Sequence, residues 1–272
     1  MTEKYSIGYR ANTPQKIISV RNLSFSYGSD KSPLILEDIN FDVLSGEFVC
    51  FLGQSGCGKS TLLRLIAGLE KPSEGEILLD GKPVKGAGLD RGIVFQDYGL
   101  FPWMTAGENI RLALEQKFPN LSKSQYKEKT LDALRQVGLD ESVYRKLPKA
   151  LSGGMKQRCA IAQVFAVEPS IMLMDEPFGA LDAVTRARLQ DMLLELCAVQ
   201  SPKKTVIFVT HDVDEALLLS GRIIVIGSRK IIYDCTIPDD IKPTRETQFE
   251  DINVLRLRNE LIRRINSMQS RD

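Results

Sequence analysis

"GQSGCGKST", residues 53–61, fits the pattern G-x-x-x-x-G-K-[ST] and lies between an apolar strand-like run and a stretch with helical spacing. Glycines in such a loop let backbone N–H groups converge on phosphate oxygens, and a helix opening directly after it adds partial positive charge. Gly53, Gln54, Ser55, Gly56, Cys57 and Gly58 would form the cradle, and Thr61 ends the motif. Lys59 can reach the outer phosphates, while the Ser60 hydroxyl can ligate Mg²⁺. The pattern predicts a site for ATP or GTP.

Three other apolar runs end in residues suited to the same chemistry. "IMLMDEP" (171–177) places Asp175 at a strand end, where a carboxylate can hold Mg²⁺ directly or through water. Glu176, next along, can orient or deprotonate an attacking water. "VTHD" (209–212) ends in His211, the single histidine of the chain, whose imidazole can contact a terminal phosphate. Gln96, after "GIVF" (92–95), occupies a comparable end; it can bridge Mg²⁺ and water but is no base at neutral pH. A fourth segment, "LSGGMKQR" (151–158), has Ser152 as a helix N-cap, followed by Gly153, Gly154 and Met155. Exposed amides there read either as a second anion site or as a flexible helix entry.

The totals narrow the class. With 36 basic and 35 acidic residues the net charge of +1 gives no global field for nucleic acid or anionic lipid. Five scattered cysteines, odd in number and without a C-x-x-C pair, argue against a zinc site or disulfide framework and fit a reducing compartment. No run of 18 apolar residues occurs, and the start "MTEKYSIGYRANTPQK" is polar and unlike a signal peptide. The expectation is a cytosolic chain.

Around the motifs, "IISVRNLSFSYG" (17–28) alternates like a strand, with Leu23, Phe25 and Tyr27 on one face. "INFDVLSGEFVCFLG" (39–53) reads as two strands about a Ser45-Gly46 turn, and "GEILLDGKPV" and "RGIVF" as further short strands. From Asp97 to about Pro169 the chain turns helical, with a capping box at Ser122–Gln125 and Leu131, Leu134 and Val137 at helical spacing. Strands then alternate with helices, which implies a parallel sheet covered on both faces. "RIIVIGSRKIIYD" (222–234) reads as a closing hairpin. A Pro- and Asp-rich linker from Thr236 leads to a helix with Val254, Leu257, Leu261, Ile265 and Met268 on one stripe, expected to pack on the parent domain.

Taken together, the phosphate loop, Gln96, LSGGM, IMLMDEP, Ala180-Leu181-Asp182 and His211 resemble the ATP-binding cassette family over Ile17 to Asp234, in that family's order. The resemblance implies an α/β P-loop NTPase fold: a RecA-like parallel-sheet core, an N-terminal antiparallel β subdomain and an inserted α-helical subdomain. It places the ATP-binding domain at 17–235, the helical insert at about 97–169, and a C-terminal linker and amphipathic helix at 236–272. It further implies a head-to-tail dimer, with each ATP between one chain's phosphate loop and the Ser152-Gly153-Gly154-Met155 segment of the other. In that frame Glu176, His211 and Gln96 serve catalysis, and Ser60, Gln96 and Asp175 serve Mg²⁺. Asp182 couples the two sites, and Tyr27 stacks on adenine unless it is simply a strand neighbour of Phe25. Met155 and Gln163 depart from the family's usual glutamine and arginine, outside the Ser-Gly-Gly core.

Within the family, "LFPW" (100–103), "DEPFGALD" (175–182) and the basic C-terminal helix look like the import ATPases of the nitrate, sulfonate and taurine group. Such a subunit sits on the cytoplasmic face of the inner membrane, docks on an integral-membrane permease and works with an extracytoplasmic solute-binding protein. Leu100, Phe101, Trp103 and Met104 would form the docking cluster, the alternative being that Phe101 and Trp103 fill the subdomain core. A competing expectation is a soluble cassette ATPase of the iron–sulfur cluster assembly type, which would not be expected to carry the Phe101-Pro102-Trp103 segment.

Overall fold

The computed structural model describes residues 15–28, 32–179, 181–199 and 203–267, so Ala180, Met268 and the first fourteen residues lie outside it. The chain begins with β1 (Lys16–Phe25), β2 (Leu36–Leu44), β3 (Phe48–Leu52), α1 (Lys59–Ala67), β4 (Glu74–Leu79), β5 (Lys82–Pro83) and β6 (Arg91–Val94). Three helices follow: α2 (Ala106–Lys117), α3 (Lys123–Gln136) and α4 (Gly153–Ala166). The remainder is β7 (Ile171–Asp175), α5 (Ala183–Val199), β8 (Thr205–Thr210), α6 (Val213–Leu219), β9 (Arg222–Gly227), β10 (Lys230–Thr236) and α7 (Ile252–Asn266).

Six strands form one sheet in the order β10-β9-β3-β8-β7-β6, parallel throughout except for the terminal β10–β9 hairpin. Its inner strands are apolar at almost every position because both faces are covered. Side chains alternate across a strand, so each strand feeds two cores. Val49 and Phe51 of β3, with Ile207 and Val209 of β8, join α1 and the first β strands. Cys50 and Leu52, with Val206 and Phe208, join the helices of the opposite face.

The second sheet, β2-β1-β4-β5, is antiparallel and N-terminal. The two strands about Ser45-Gly46 belong to different sheets: the turn, with Gly46 at φ 79°, carries the chain from one to the other. Tyr27 differs from expectation. A register shift between Leu23 and Phe25 breaks the alternation, β1 ends at Phe25, and Tyr27 lies beyond it with its ring edge-on to Phe25 at 4.8 Å.

The helical insert α2–α4 is set by its caps. Ser122 and Gln125 form the expected capping box, and Thr105 with Glu108 forms another at α2. Asn109, fully buried on α2, ties down the loop before that helix. Its Oδ1 accepts from the Phe101 amide at 2.8 Å, and its Nδ2 donates to the carbonyls of Met104 (3.1 Å) and Thr105 (3.0 Å). At the C-terminus, Val254 and Leu261 of α7 are buried against the parent core, and Leu257 and Ile265 flank them. No helix among the described residues is long and apolar enough to cross a membrane.

Replacing Asn109 by Ala strands the Phe101 amide and is expected to lower unfolding free energy by about 1–3 kcal/mol. Trp103→Ala, at a residue 73% exposed, should change it by less than about 0.5 kcal/mol. Urea titration of both variants checks the pair.

Candidate functional site

The phosphate loop leaves β3 where that strand meets the C-terminal edge of the sheet. Its glycines are there for room as well as torsion. A Cβ on Gly53 would lie 2.3 Å from the Ile226 carbonyl oxygen, and one on Gly58, at φ 102°, would lie 2.8 Å from Leu36 Cδ2. Gly56, at φ 83°, faces open space within 4 Å. The loop is therefore pressed against β9 and β2 on one side and free on the other, which suits a cradle for a phosphate chain. No acidic residue stands in the first turn of α1, so nothing there opposes an anion. Lys59 is buried, and its Nζ donates to the carbonyls of Gly53 (2.8 Å) and Gln54 (2.7 Å). Tyr27, 45% exposed, comes to the far end of the loop with its hydroxyl 3.4 Å from Thr61 Oγ1.

Adjacent strand ends bring the remaining polar groups to this edge. Ser60 Oγ donates to Asp175 Oδ1 at 2.6 Å, joining the start of α1 to the end of β7. Burial pushes the Asp175 carboxyl up, and the Ser60 hydrogen bond opposes that rise. Two hard oxygen donors in contact fit a magnesium ion whose other ligands are phosphates and water. Among the described residues no cluster of three or more His, Cys, Asp or Glu could hold a metal by itself.

Glu176 follows at φ 43°, a left-handed conformation rare for a residue with a side chain, and its amide donates to Val209 at 3.1 Å. That backbone bond pins it to β8. One carboxylate oxygen lies 3.4 Å from His211 Nδ1, and the other 3.4 Å from Gln96 Nε2. Three residues from the ends of β6, β7 and β8 thus meet around one carboxylate, as the strand-end reading anticipates.

The Ser152 segment is separate. Ser152 caps α4, its hydroxyl accepting from the Met155 amide at 3.3 Å, and no acidic residue stands in that first turn. No hydrogen bond among the described residues joins Ser152–Met155 to residues 53–61. The segment abuts the start of α5 instead: a Cβ on Gly154 would lie 2.6 Å from Thr185 Cγ2. Asp182, exposed, accepts from the Thr185 amide at 3.0 Å, and those hydrogen bonds hold its carboxyl below the usual range.

Beyond Gln96 the apolar cluster divides. Leu100 packs against the helical core and Met104 is half-buried, whereas Phe101 and Trp103 are exposed, their ring centroids 5.4 Å apart. Core filling is thus not the role of those two rings. Two features escaped sequence reading. Asn109, which ties this loop down, looks like an ordinary helix residue. Glu215 is buried, accepting from Thr210 (2.7 Å) and Gln190 (3.0 Å), and burial pushes its carboxyl up; in sequence it reads as the exposed first turn of a capped helix.

Comparison with known proteins points the same way as the geometry. The family model described as ABC transporter matches residues 36–179. The nitrate import ATP-binding protein NrtD of Synechococcus elongatus is 42% identical over 241 residues, 87% of each chain. The bicarbonate transport ATP-binding protein CmpD of the same organism is 42% identical over 244 residues, 88% of this chain and 87% of that one. Among solved structures, the dimeric ATP-binding cassette MJ0796, in a post-hydrolysis state bound to ADP and Pi, superposes with a TM-score of 0.74. It is 32% identical, with 82% of this chain and 99% of that chain covered. The chain therefore belongs to the ABC transporter family, as one of its ATP-hydrolysing, ATP-binding subunits.

Proposed function

We propose that this subunit energises an importer of a small oxyanion, working as a head-to-tail dimer on the cytoplasmic side of an integral-membrane permease. The observation that carries the reading is the exposed Phe101–Trp103 pair, which begins five residues beyond Gln96 on a loop tied down by buried Asn109. One short segment thus joins the catalytic edge of the sheet to an apolar surface able to receive a permease helix. NrtD and CmpD, named for nitrate and bicarbonate transport and equally similar to this chain, support the oxyanion class. Sulfonates and taurine belong to the same proposal. An extracytoplasmic solute-binding protein would choose among them, since the solute does not meet this chain.

Each residue then has a role. The phosphate loop, Gly53 to Thr61, holds the triphosphate by its amides, with Lys59 turning from loop carbonyls to phosphate oxygens and Tyr27 stacking on the base. Bound Mg²⁺, held by Ser60 and Asp175 with Gln96 beside it, would supply charge neutralisation at the outer phosphates. Glu176 orients the attacking water and takes its proton as the new P–O bond forms and the bond to the bridging oxygen breaks. His211 steadies the Glu176 carboxylate and contacts the terminal phosphate. Ser152, Gly153, Gly154 and Met155 serve the partner's nucleotide, which accounts for their separation from the chain's own loop, and Asp182 lies between the two sites.

Glu176→Gln keeps the shape but removes the base; the expected loss in turnover is about 10²-fold or more, read by phosphate release. ATP should still bind and trap a dimer on size-exclusion chromatography, and unchanged hydrolysis would overturn the assignment. The double variant Phe101→Ala/Trp103→Ala should leave hydrolysis by the isolated subunit intact. It should weaken co-purification with the permease about tenfold or more, as loss of an aromatic anchor does. Undiminished recovery of the membrane partner would sink the docking role.

A further inference from the structure

The helix after His211 is held by its buried face and by further ties from residues outside the cassette motifs. Ala216–Leu219 lie in the core, and Glu215 accepts from Thr210 and Gln190. α6 has seven residues, too few to be stable alone, so its place depends on ties to the rest of the fold. Its own cap is Asp212, whose Oδ1 accepts from the Asp214 and Glu215 amides at 2.8 and 3.2 Å. Other ties come from the segment after β10. Arg258 of α7 makes a two-pronged contact with Asp214, Nε to Oδ1 at 2.6 Å and Nη2 to Oδ2 at 3.1 Å. Lys242 donates to the carbonyls of Leu217 (3.0 Å) and Ser220 at the helix's other end. At the end of α7, the Ile265 carbonyl accepts from the Gln54 side chain of the phosphate loop at 3.3 Å.

One C-terminal helix therefore touches both the phosphate loop and the helix that directly follows His211. The fork geometry matters, because two parallel N–H···O bonds fix orientation where a single contact would fix only distance. We infer that Arg258 is a positioning residue for ATP hydrolysis: by gripping Asp214 it sets α6, and through α6 it holds His211 against Glu176. Arg258 thereby bears on the chemical step rather than on nucleotide binding. The inference rests on the roles proposed above for Glu176 and His211.

Steady-state hydrolysis by the full-length chain tests it, with Arg258→Ala, Arg258→Lys, Asp214→Asn and the double variant Arg258→Ala/Asp214→Asn. Arg256→Ala, at an exposed position of the same helix, is the control expected to match wild type. Arg258→Ala should lower kcat about fivefold or more, as displacement of a catalytic group does. KM for ATP and Tm should stay at wild-type values, because a pair about one-third exposed adds little stability. Asp214→Asn should match that loss, the double variant should fall no further, and Arg258→Lys, keeping one bond, should be intermediate. A wild-type kcat in Arg258→Ala, losses that multiply in the double variant, or a kcat loss matched by a fall in Tm or a rise in KM would overturn it. A wild-type rate in Glu176→Gln would instead overturn the site on which the inference stands.

Discussion

A parallel sheet buried on both faces has only its strand ends for charge. Every interior position of β3, β7 and β8 faces one of two apolar cores, so a carboxylate or imidazole within a strand would lose its hydration without gaining a partner. Asp175, Glu176, His211 and the phosphate loop all stand at the C-terminal edge, on neighbouring strands, and this common edge gathers them without a dedicated scaffold. Parallel connection does the rest: each strand must be followed by a crossover, and the loops that open those crossovers emerge side by side.

The same constraint explains what was legible in the sequence. Apolar runs ending in Asp175-Glu176, Thr210-His211 and Gln96 announced both a buried strand and the polar end that meets its neighbours at the sheet edge, because burial demands the run and its end is where polar groups can stand. Helix caps at Ser122 and Ser152 were legible for a similar reason, since a cap is a local hydrogen bond between residues three apart. Contacts that depend on distant segments were not. Nothing around Asn109 distinguishes it from a solvent-facing helix residue, and its partners, the Phe101 amide among them, come from the loop that folds back over it. Tyr27 shows the limit from the other side: alternation predicted a strand face, but the bulge near Leu23, set by pairing with β2, ended that pattern.

Strain and burial are spent at two adjacent residues. Glu176 holds a left-handed backbone, and Asp175 holds a carboxyl pushed up by its surroundings. Both conditions are local costs, of order 1–3 kcal/mol for the backbone alone, that the surrounding sheet must over-determine. The Glu176–Val209 backbone bond and the Ser60 hydroxyl are the means by which it does so. A residue held in this way has little freedom to reorient, which suits the role proposed for Glu176 of meeting a water and a phosphate in one geometry.

Trp103 is the single tryptophan of the chain, and most of its ring meets solvent. Indole emission from this protein therefore arises from one point, on the loop that follows Gln96, with no interior fluorophore of the same kind to obscure it. Anything that settles over that loop will remove water from the ring and shift its emission toward the blue. The chain carries its own optical reporter for the surface after Gln96, seven residues from that side chain in sequence.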